Sequence, residues 1–339
     1  MKKVFNLTLV SLFLCCTLYA QSTSLSRDKA TNLLNSVWMR DPYIVISPED
    51  NKYYLTYTNG KMEMPVWNSD NLVDWEKQGE PYTMKRLSNY QELHDLRQEL
   101  NANKTVYYDG KMIETPNATK EPVKLWAPEI HYIDGSWYTV HTTNARASVI
   151  IKSDTPTFEE FEEPFVEKFG MHHDPYIFQD DNGDKWLVDK CAEIIKFDNS
   201  MTRFDGKPIK LNPADRKMGH EGCQIIKVGG KYIWFGTAWS TDTMRDGTYN
   251  LHYAVADNIE GPYSERRFAG YCLGHGTVFK DKDGNWWCTA FRNGEATPSE
   301  GRKALSINKG GLTLVPMTIE VNGDDVKIEP NDPAYRVVN

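Results

Sequence analysis

The chain has 339 residues, with 47 acidic against 39 basic side chains and a formal net charge of -8. That balance excludes the broad basic surface a nucleic-acid binder uses to displace counterions. Aromatics make up 12%, including ten Trp and eighteen Tyr, enough for a large core with some rings to spare for stacking on sugars.

The first residues, MKKVFNLTLVSLFLCCTLYAQS, set two lysines before an apolar run and end in small and polar residues. Met1 to about Ala20 reads as a secretory signal. The run is short for a membrane span and no comparable run follows, so no span is expected. A lipoprotein anchored through Cys15 or Cys16 is the weaker alternative, because the residues before each are not small. Residues 21–339 are then expected to form one exported domain, secreted or periplasmic. Its cysteines are Cys191, Cys223, Cys272 and Cys288, none with CxxC spacing, so zinc is not expected. Cys191, Cys223 and Cys288 fall in apparent strands, which favours free, buried thiols.

Five segments then repeat one design. They are DPYIVISPEDNKYYLTYT from Asp41, WAPEIHYIDGSWYTVHTT from Trp126, DPYIFQDDNGDKWLVD from Asp174, EGCQIIKVGGKYIWFGTA from Glu221 and HGTVFKDKDGNWWCTAF from His275. Each has a polar or small lead-in, a short apolar strand, a tight turn and an aromatic-rich second strand. Asp-Gly, Asn-Gly and Gly-Gly supply the positive φ that two-residue hairpins need. Most intervals between lead-ins approach the ~40–50 residues of a four-stranded propeller blade. The first is longer and contains Lys85 to Lys104, read as a short helix or excursion. The pattern predicts an all-β, five-bladed β-propeller, in which radial repetition leaves only short sheet edges. A β-sandwich is the alternative, but it has no reason to repeat the same lead-in.

In a propeller the innermost strands line a central channel, and residues at their starts project into its mouth. Proline fits at a strand's first position, where no ladder donor is needed. The lead-ins therefore bring Asp41, Asp174 and Glu221 together from three blades. Converging carboxylates spread their pKa values apart, which suits glycosidic cleavage by one ionised and one protonated group. A single Asp-Pro is more often a turn, and clustered acids also suit calcium. Three acids in an aromatic-rich repeat favour a site.

These segments resemble family 43 of the glycoside hydrolases, from about Met39 to Ile319. RDPYI resembles the first-blade motif, which implies that Asp41 is the general base. HDPYIFQDDNGDKWL resembles the third, implying that Asp174 tunes and orients the acid. HEGCQIIKVGGKYIWF resembles the fourth, implying that Glu221 is the general acid. GHGTVFKDKDGNWW resembles the fifth, whose His, here His275, lies near the axis beside a calcium ion or water. WNSDNLVDWEKQG and LWAPEIHYIDGSWY match further family segments, and GRKAL makes Arg302 a candidate facing the site. The resemblance implies inverting hydrolysis of α-L-arabinofuranosides or β-D-xylosides, with galactofuranosides, galactans and anhydrogalactose substrates as alternatives. No cofactor is required, and calcium is a structural candidate only. Inversion implies a base-to-acid separation of roughly 6.5–9.5 Å. WMRDP is also close to the W-x-x-D-P start of retaining clan members.

There are departures. Cys223 stands where the family commonly has Pro or Ala. His220 directly precedes the expected acid and is a candidate to share its role, or to support it by a hydrogen bond. His172 and His173 are unusual before Asp174 and are read as pocket lining or surface loop. Trp126, Trp67, Trp239, His173, His220, Arg292 and Arg302 are the candidate sugar contacts, each with a core or ion-pair reading beside it. Of Trp286 and Trp287, at least one is expected in the core. The long first excursion is expected to close one end of the pocket. The rivals are a sugar-binding propeller without catalysis and a protein-binding propeller.

Overall fold

A computed structural model describes residues 34, 36–103, 105–108, 111–114, 121–294, 296–297 and 302–336. The expected signal, residues 1–20, lies outside them. Sheet 1 comprises β1 (Arg40–Ile46), β2 (Tyr53–Thr58), β3 (Val66–Ser69) and β4 (Trp75–Gly79). Helix α1 (Tyr90–Ala102) and the hairpin β5 (Thr105–Tyr108) and β6 (Lys111–Glu114) follow. Sheet 2 comprises β7 (Leu125–Ile133), β8 (Ser136–Thr143) and β9 (Ser148–Ser153). Sheet 3 comprises β10 (Tyr176–Gln179), β11 (Lys185–Asp189), β12 (Glu193–Lys196) and β13 (Ile209–Lys210). Sheet 4 comprises β14 (Glu221–Val228), β15 (Lys231–Trp239), β16 (Gly247–Ala256) and β17 (Arg267–Gly270). Sheet 5 begins with β18 (Val278–Lys280) and β19 (Trp286–Ala290). Its chain then leaves to add β20 (Ala296–Thr297) and β21 (Arg302–Leu305) to sheet 4, and returns for β22 (Thr313–Asn322) and β23 (Asp325–Pro330).

Consecutive strands within each sheet pair antiparallel, while the added β21 joins β16 in parallel, and the turns explain the meander. At Gly229–Gly230 both residues have positive φ, 58° and 80°, which closes β14 onto β15. Neighbouring sheets are then joined in a ring. Tyr43 O–H meets His131 Nδ1 at 3.2 Å between sheets 1 and 2, and the Ile177 amide donates to His131 Nε2 at 3.5 Å between 2 and 3. Cys223 Sγ donates to the Asp174 carbonyl between 3 and 4, and Gln224 exchanges two bonds with Val278 between 4 and 5. Thr289 Oγ1 donates to the Pro42 carbonyl at 2.7 Å and closes the ring from 5 to 1. The hydrophobic core is divided the same way, into clusters between neighbouring sheets, one of which joins sheets 1 and 5 with Trp239 and Tyr249 of sheet 4. Trp137 and Trp234 are fully buried in two of these clusters. Burying side chains of this size contributes roughly 2–3 kcal/mol each or more, which is what drives the sheets face to face. The all-β architecture of several packed sheets expected of a propeller is therefore present.

The repeated lead-in has a specific backbone form. Asp41, Ala127, Asp174, Gly222 and His275 have φ of 53°, 45°, 48°, 58° and 56°. Each is a left-handed kink at the entry to an inner strand, and the register of β1, β7 and β14 shifts just beyond it. Such kinks re-aim side chains, at a cost the surroundings must offset. Here hydroxyls of the preceding sheet help: Thr58 Oγ1 accepts from the Ala127 amide at 2.6 Å, and Thr142 Oγ1 from the Asp174 amide at 2.8 Å. At Gly222 a Cβ would come within 2.6 Å of the His275 ring, so only glycine lets that imidazole lie against the backbone.

Two expectations are refined. Glu221 stands one step before the kink, in register with Arg40, Trp126 and His173 rather than with Asp41 and Asp174. The excursion does form a helix, but α1 buries Leu93, Arg97 and Leu100 and leans on sheet 2, with Arg97 donating to the Asn144 carbonyl. No residue of α1 lines the cavity at the strand entries. Trp287 is in the core, as expected of one of the pair, and the four cysteines of the domain are free and buried.

Candidate active site

A cavity of about 390 Å³ opens at the strand entries. Asp41, Asp174 and Glu221 all face it, with His173, His275 and Trp126 from the sequence expectation. Trp239 does not: it is 2% exposed, stacked on Tyr249 with centroids 4.7 Å apart, and belongs to the core. Trp67 packs against the same core and donates to the Tyr57 hydroxyl, so it too is removed from the cavity. His220 is absent from the lining; its amide donates to the Thr237 carbonyl. His172 turns its ring away to Asp189, Nδ1 to Oδ2 at 2.6 Å. Arg292 is exposed and lines a second, adjoining cavity, while the side chain of Arg302 lies outside the described residues.

Within the cavity, carboxylates and imidazoles alternate. His275 Nδ1 is 3.1 Å from Asp41 Oδ1 and 3.6 Å from Asp174 Oδ2. His173 Nε2 is 3.7 Å from Asp174 Oδ2 and 3.5 Å from Glu221 Oε2. An unbroken row thus runs Asp41, His275, Asp174, His173, Glu221. His275, Asp174, His173 and Glu221 are buried, and Asp41 is half-buried. Three carboxylates this close would repel if all were ionised without counter-charge. The two imidazoles remove the problem.

Other contacts set each group's state. Thr58 Oγ1 donates to Asp41 Oδ2 at 2.8 Å. Burial alone would raise the Asp41 carboxyl, but the His275 and Arg40 cations outweigh it and hold it below the usual range. Arg40 is itself fixed over the Phe291 ring and donates to Asn293 Oδ1. Asp174 moves the other way: burial raises it, and the charges of Glu221 and Asp41 add to that against the opposing histidines. Glu221 accepts from Tyr249 O–H at 2.6 Å on Oε1. Burial would raise it, yet the hydrogen bond and charge of His173 dominate and lower it. Burial lowers both histidines in principle, but the carboxylates around them push each up to about 9. In the resting site the proton shared between His173 and Glu221 therefore sits on the imidazole, not on the expected acid.

This has a consequence for stability. A histidine with a folded pKa of about 9 against a usual 6.5 contributes stability that is complete below about 6.5 and is lost as pH rises through about 9. The melting temperature should fall across that window, and His275→Gln should make the fall shallower. A flat profile in the wild type would count against the ion-pair row.

Sequence reasoning missed four participants. Trp38, 53% exposed, forms one wall of the cavity, and its signal was already present as the W of WMRDP. Lys124 and Arg245 add cations to the lining. Tyr249 supports Glu221 from β16. Below the row, Glu129 is buried with its carboxyl pushed up by burial and by the charges of Asp174 and Asp41. His131, 3.3 Å away, is lowered by burial to about 3, so this contact joins two neutral groups rather than an ion pair.

One ligand atom each from His173, Asp174 and Glu221 lies within 4.8 Å of the others, the spacing a divalent ion can bridge. Calcium prefers six or more oxygens. Near His275 the Nδ1 is committed to carboxylates, so this donor set fits proton sharing better than calcium.

The profile of Glycosyl hydrolases family 43 matches residues 31–309, which takes in every sheet entry described above. The chain belongs to that family. A putative β-xylosidase of Escherichia coli is 23% identical over 196 residues, covering 48% of this chain and 35% of that protein. A xylosidase/arabinosidase of Humicola insolens is 28% identical over 155 residues, covering 41% of this chain and 28% of that protein. The family 43 member thus spans about a third of the length of these curated relatives. The crystal structure of an endo-arabinase from Bacteroides thetaiotaomicron shares the fold, with a TM-score of 0.58 at 18% identity, covering 85% of this chain and 96% of that one.

Proposed function

We propose that the protein is an exported glycoside hydrolase that releases arabinose- or xylose-type sugars with inversion, using Asp41 as base and Glu221 as acid. The observation that carries this is the alternating row, which leaves an ionised carboxylate at one end and a carboxylate beside a proton-bearing imidazole at the other. The names of the relatives support the sugar class.

The chemistry follows from the states above. Asp41, ionised and held by Thr58, takes a proton from a water as that water's oxygen bonds to the anomeric carbon. The glycosidic C–O bond breaks on the opposite face. His173 Nε2, at 3.5 Å, passes its proton to Glu221, which hands it to the departing oxygen, leaving a neutral imidazole beside an ionised Glu221. Asp174 accepts from the Gly222 amide at 3.2 Å and sits between both histidines, which fixes their spacing and charge. Trp38 and Trp126 present rings to the sugar. No step needs a metal, so chelation by EDTA should leave the rate unchanged; a loss of more than about tenfold would require one.

Proton NMR of a panel of arabino-, xylo- and galacto-oligosaccharides tests the reading. We expect early release of one inverted anomer. Early release of the retained anomer would make Asp41 a nucleophile, as the WMRDP start allows. Binding without cleavage would restore the sugar-binding propeller.

A further inference from the structure

The two carboxylate oxygens of Glu221 have different neighbours. Oε2 lies 3.5 Å from His173 Nε2, while Oε1 accepts from the Tyr249 hydroxyl at 2.6 Å. The strand register dictates the second contact. Glu221 of β14 pairs with Thr237 of β15, and Trp239, two residues further on, pairs with Tyr249 of β16. Paired residues share a face of a sheet, as do residues two apart on one strand, so all four side chains stand on the same side of sheet 4. Tyr249 is 2% exposed, and its surroundings fix it. Its ring stacks on Trp239 with centroids 4.7 Å apart. A Cβ at Gly274 would come within 2.4 Å of that ring, so glycine at the entry to sheet 5 is what lets the ring lie there. The Gly274 amide in turn donates to the Tyr249 carbonyl at 2.9 Å. The Thr237 hydroxyl lies 3.1 Å from that of Tyr249 and also bonds the Glu221 carbonyl.

We propose that Tyr249 is a positioning residue for the acid: by holding Oε1 it assigns the proton relay to Oε2, the oxygen that faces His173. The inference rests on the glycosidase reading and adds a residue to it. With the backbone fixed by β14, anchoring Oε1 restricts rotation of the carboxylate plane and so aims the other oxygen. The proton leaves His173 Nε2, bonds to Oε2, and leaves Oε2 for the departing sugar oxygen. The hydrogen of Tyr249 stays on Tyr249 throughout. The charges of His173, His275 and Arg40 also act on Glu221 and are untouched by a change at Tyr249.

Tyr249→Phe keeps the ring, its stack on Trp239 and its fit against Gly274, and removes only the hydroxyl. The test compares xylobiose and arabinobiose with 4-nitrophenyl β-D-xyloside and α-L-arabinofuranoside, whose leaving group departs without a proton. Losing a donor to the ionised form favours protonated Glu221, which by itself would make a proton more available and speed the poor leaving groups. Misaiming Oε2 acts in the opposite direction, so a slower reaction reports aim and not acidity. We expect kcat on the disaccharide to fall about tenfold, within the ~10²-fold that a small misplacement costs, with KM nearly constant. The nitrophenyl glycoside should lose less than about threefold. The ratio of the two rates decides even if the variant is less stable, because a lower folded fraction scales both equally. Equal slowing of both substrates would overturn the proposal, as would an unchanged or faster reaction on the disaccharide. Thr237→Val keeps the Tyr249–Glu221 contact and should slow both substrates alike; if it reproduced the split, the aim would come through the Glu221 backbone and Tyr249 would lose the role. A wild type that cleaves neither class of substrate would overturn the glycosidase reading, and this one with it.

Discussion

Replacing Asp41 by Asn should lower kcat on an unactivated oligosaccharide about a thousandfold, within the ~10²–10⁴ that a positioned general base contributes. The substitution is nearly isosteric and suits the site. Asp41 has a φ of 53°, and Asn is among the side chains that adopt the left-handed region most readily. The Thr58 hydroxyl can still donate to the amide oxygen. What is lost is the charge that accepts the water's proton. A second effect separates this from general damage. Without the Asp41 charge, His275 loses its nearest partner at 3.1 Å, and its pKa should drop from about 9 toward the usual value. The alkaline fall in melting temperature should then become shallower in the same variant. A variant that keeps more than about a tenth of wild-type turnover would remove Asp41 from the base role.

Much of this site was legible because the lead-in repeats. Asp-Pro at Asp41 and Asp174 marks a left-handed kink followed by a strand, and the ring turns equal sequence positions into one mouth. Glu221 was found through its repeat, although its own kink falls on Gly222. The imidazole row was not legible. His173 and His275 come from different sheets and both reach Oδ2 of Asp174, a relation only the closed ring creates. Trp239 misled because it ends an aromatic strand, where sequence gives no face; its pairing with Tyr249 in β15–β16 turns it into the core. Arg292 was placed on the right face of the molecule but in the neighbouring cavity. Trp38, read in the sequence only as part of the WMRDP start, also forms a wall of the cavity.

Glu221→Gln should cost a similar ~10²–10⁴ on glycosides with poor leaving groups and far less on nitrophenyl glycosides, whose leaving group departs without a proton. The sharper test lies one residue back along the row. Glu221 accepts from Tyr249 and faces His173, so the proton it gives must first come from that imidazole. The alkaline limb of kcat/KM in the wild type should therefore follow His173, near its raised pKa of about 9. His173→Gln removes both the cation and the proton store. Burial then acts on Glu221 with less opposition, and its carboxyl, now held low chiefly by the His173 hydrogen bond and charge, should rise. Glu221 would become the titrating acid itself. The alkaline limb should move to distinctly lower pH, and the loss of rate should be larger for poor leaving groups than for nitrophenol. If His173 served only to pack the cavity, its replacement would slow both substrates alike and leave the limb where it was. A shifted limb with leaving-group dependence ties the proton to His173; an unshifted one returns the acid role to Glu221 acting alone.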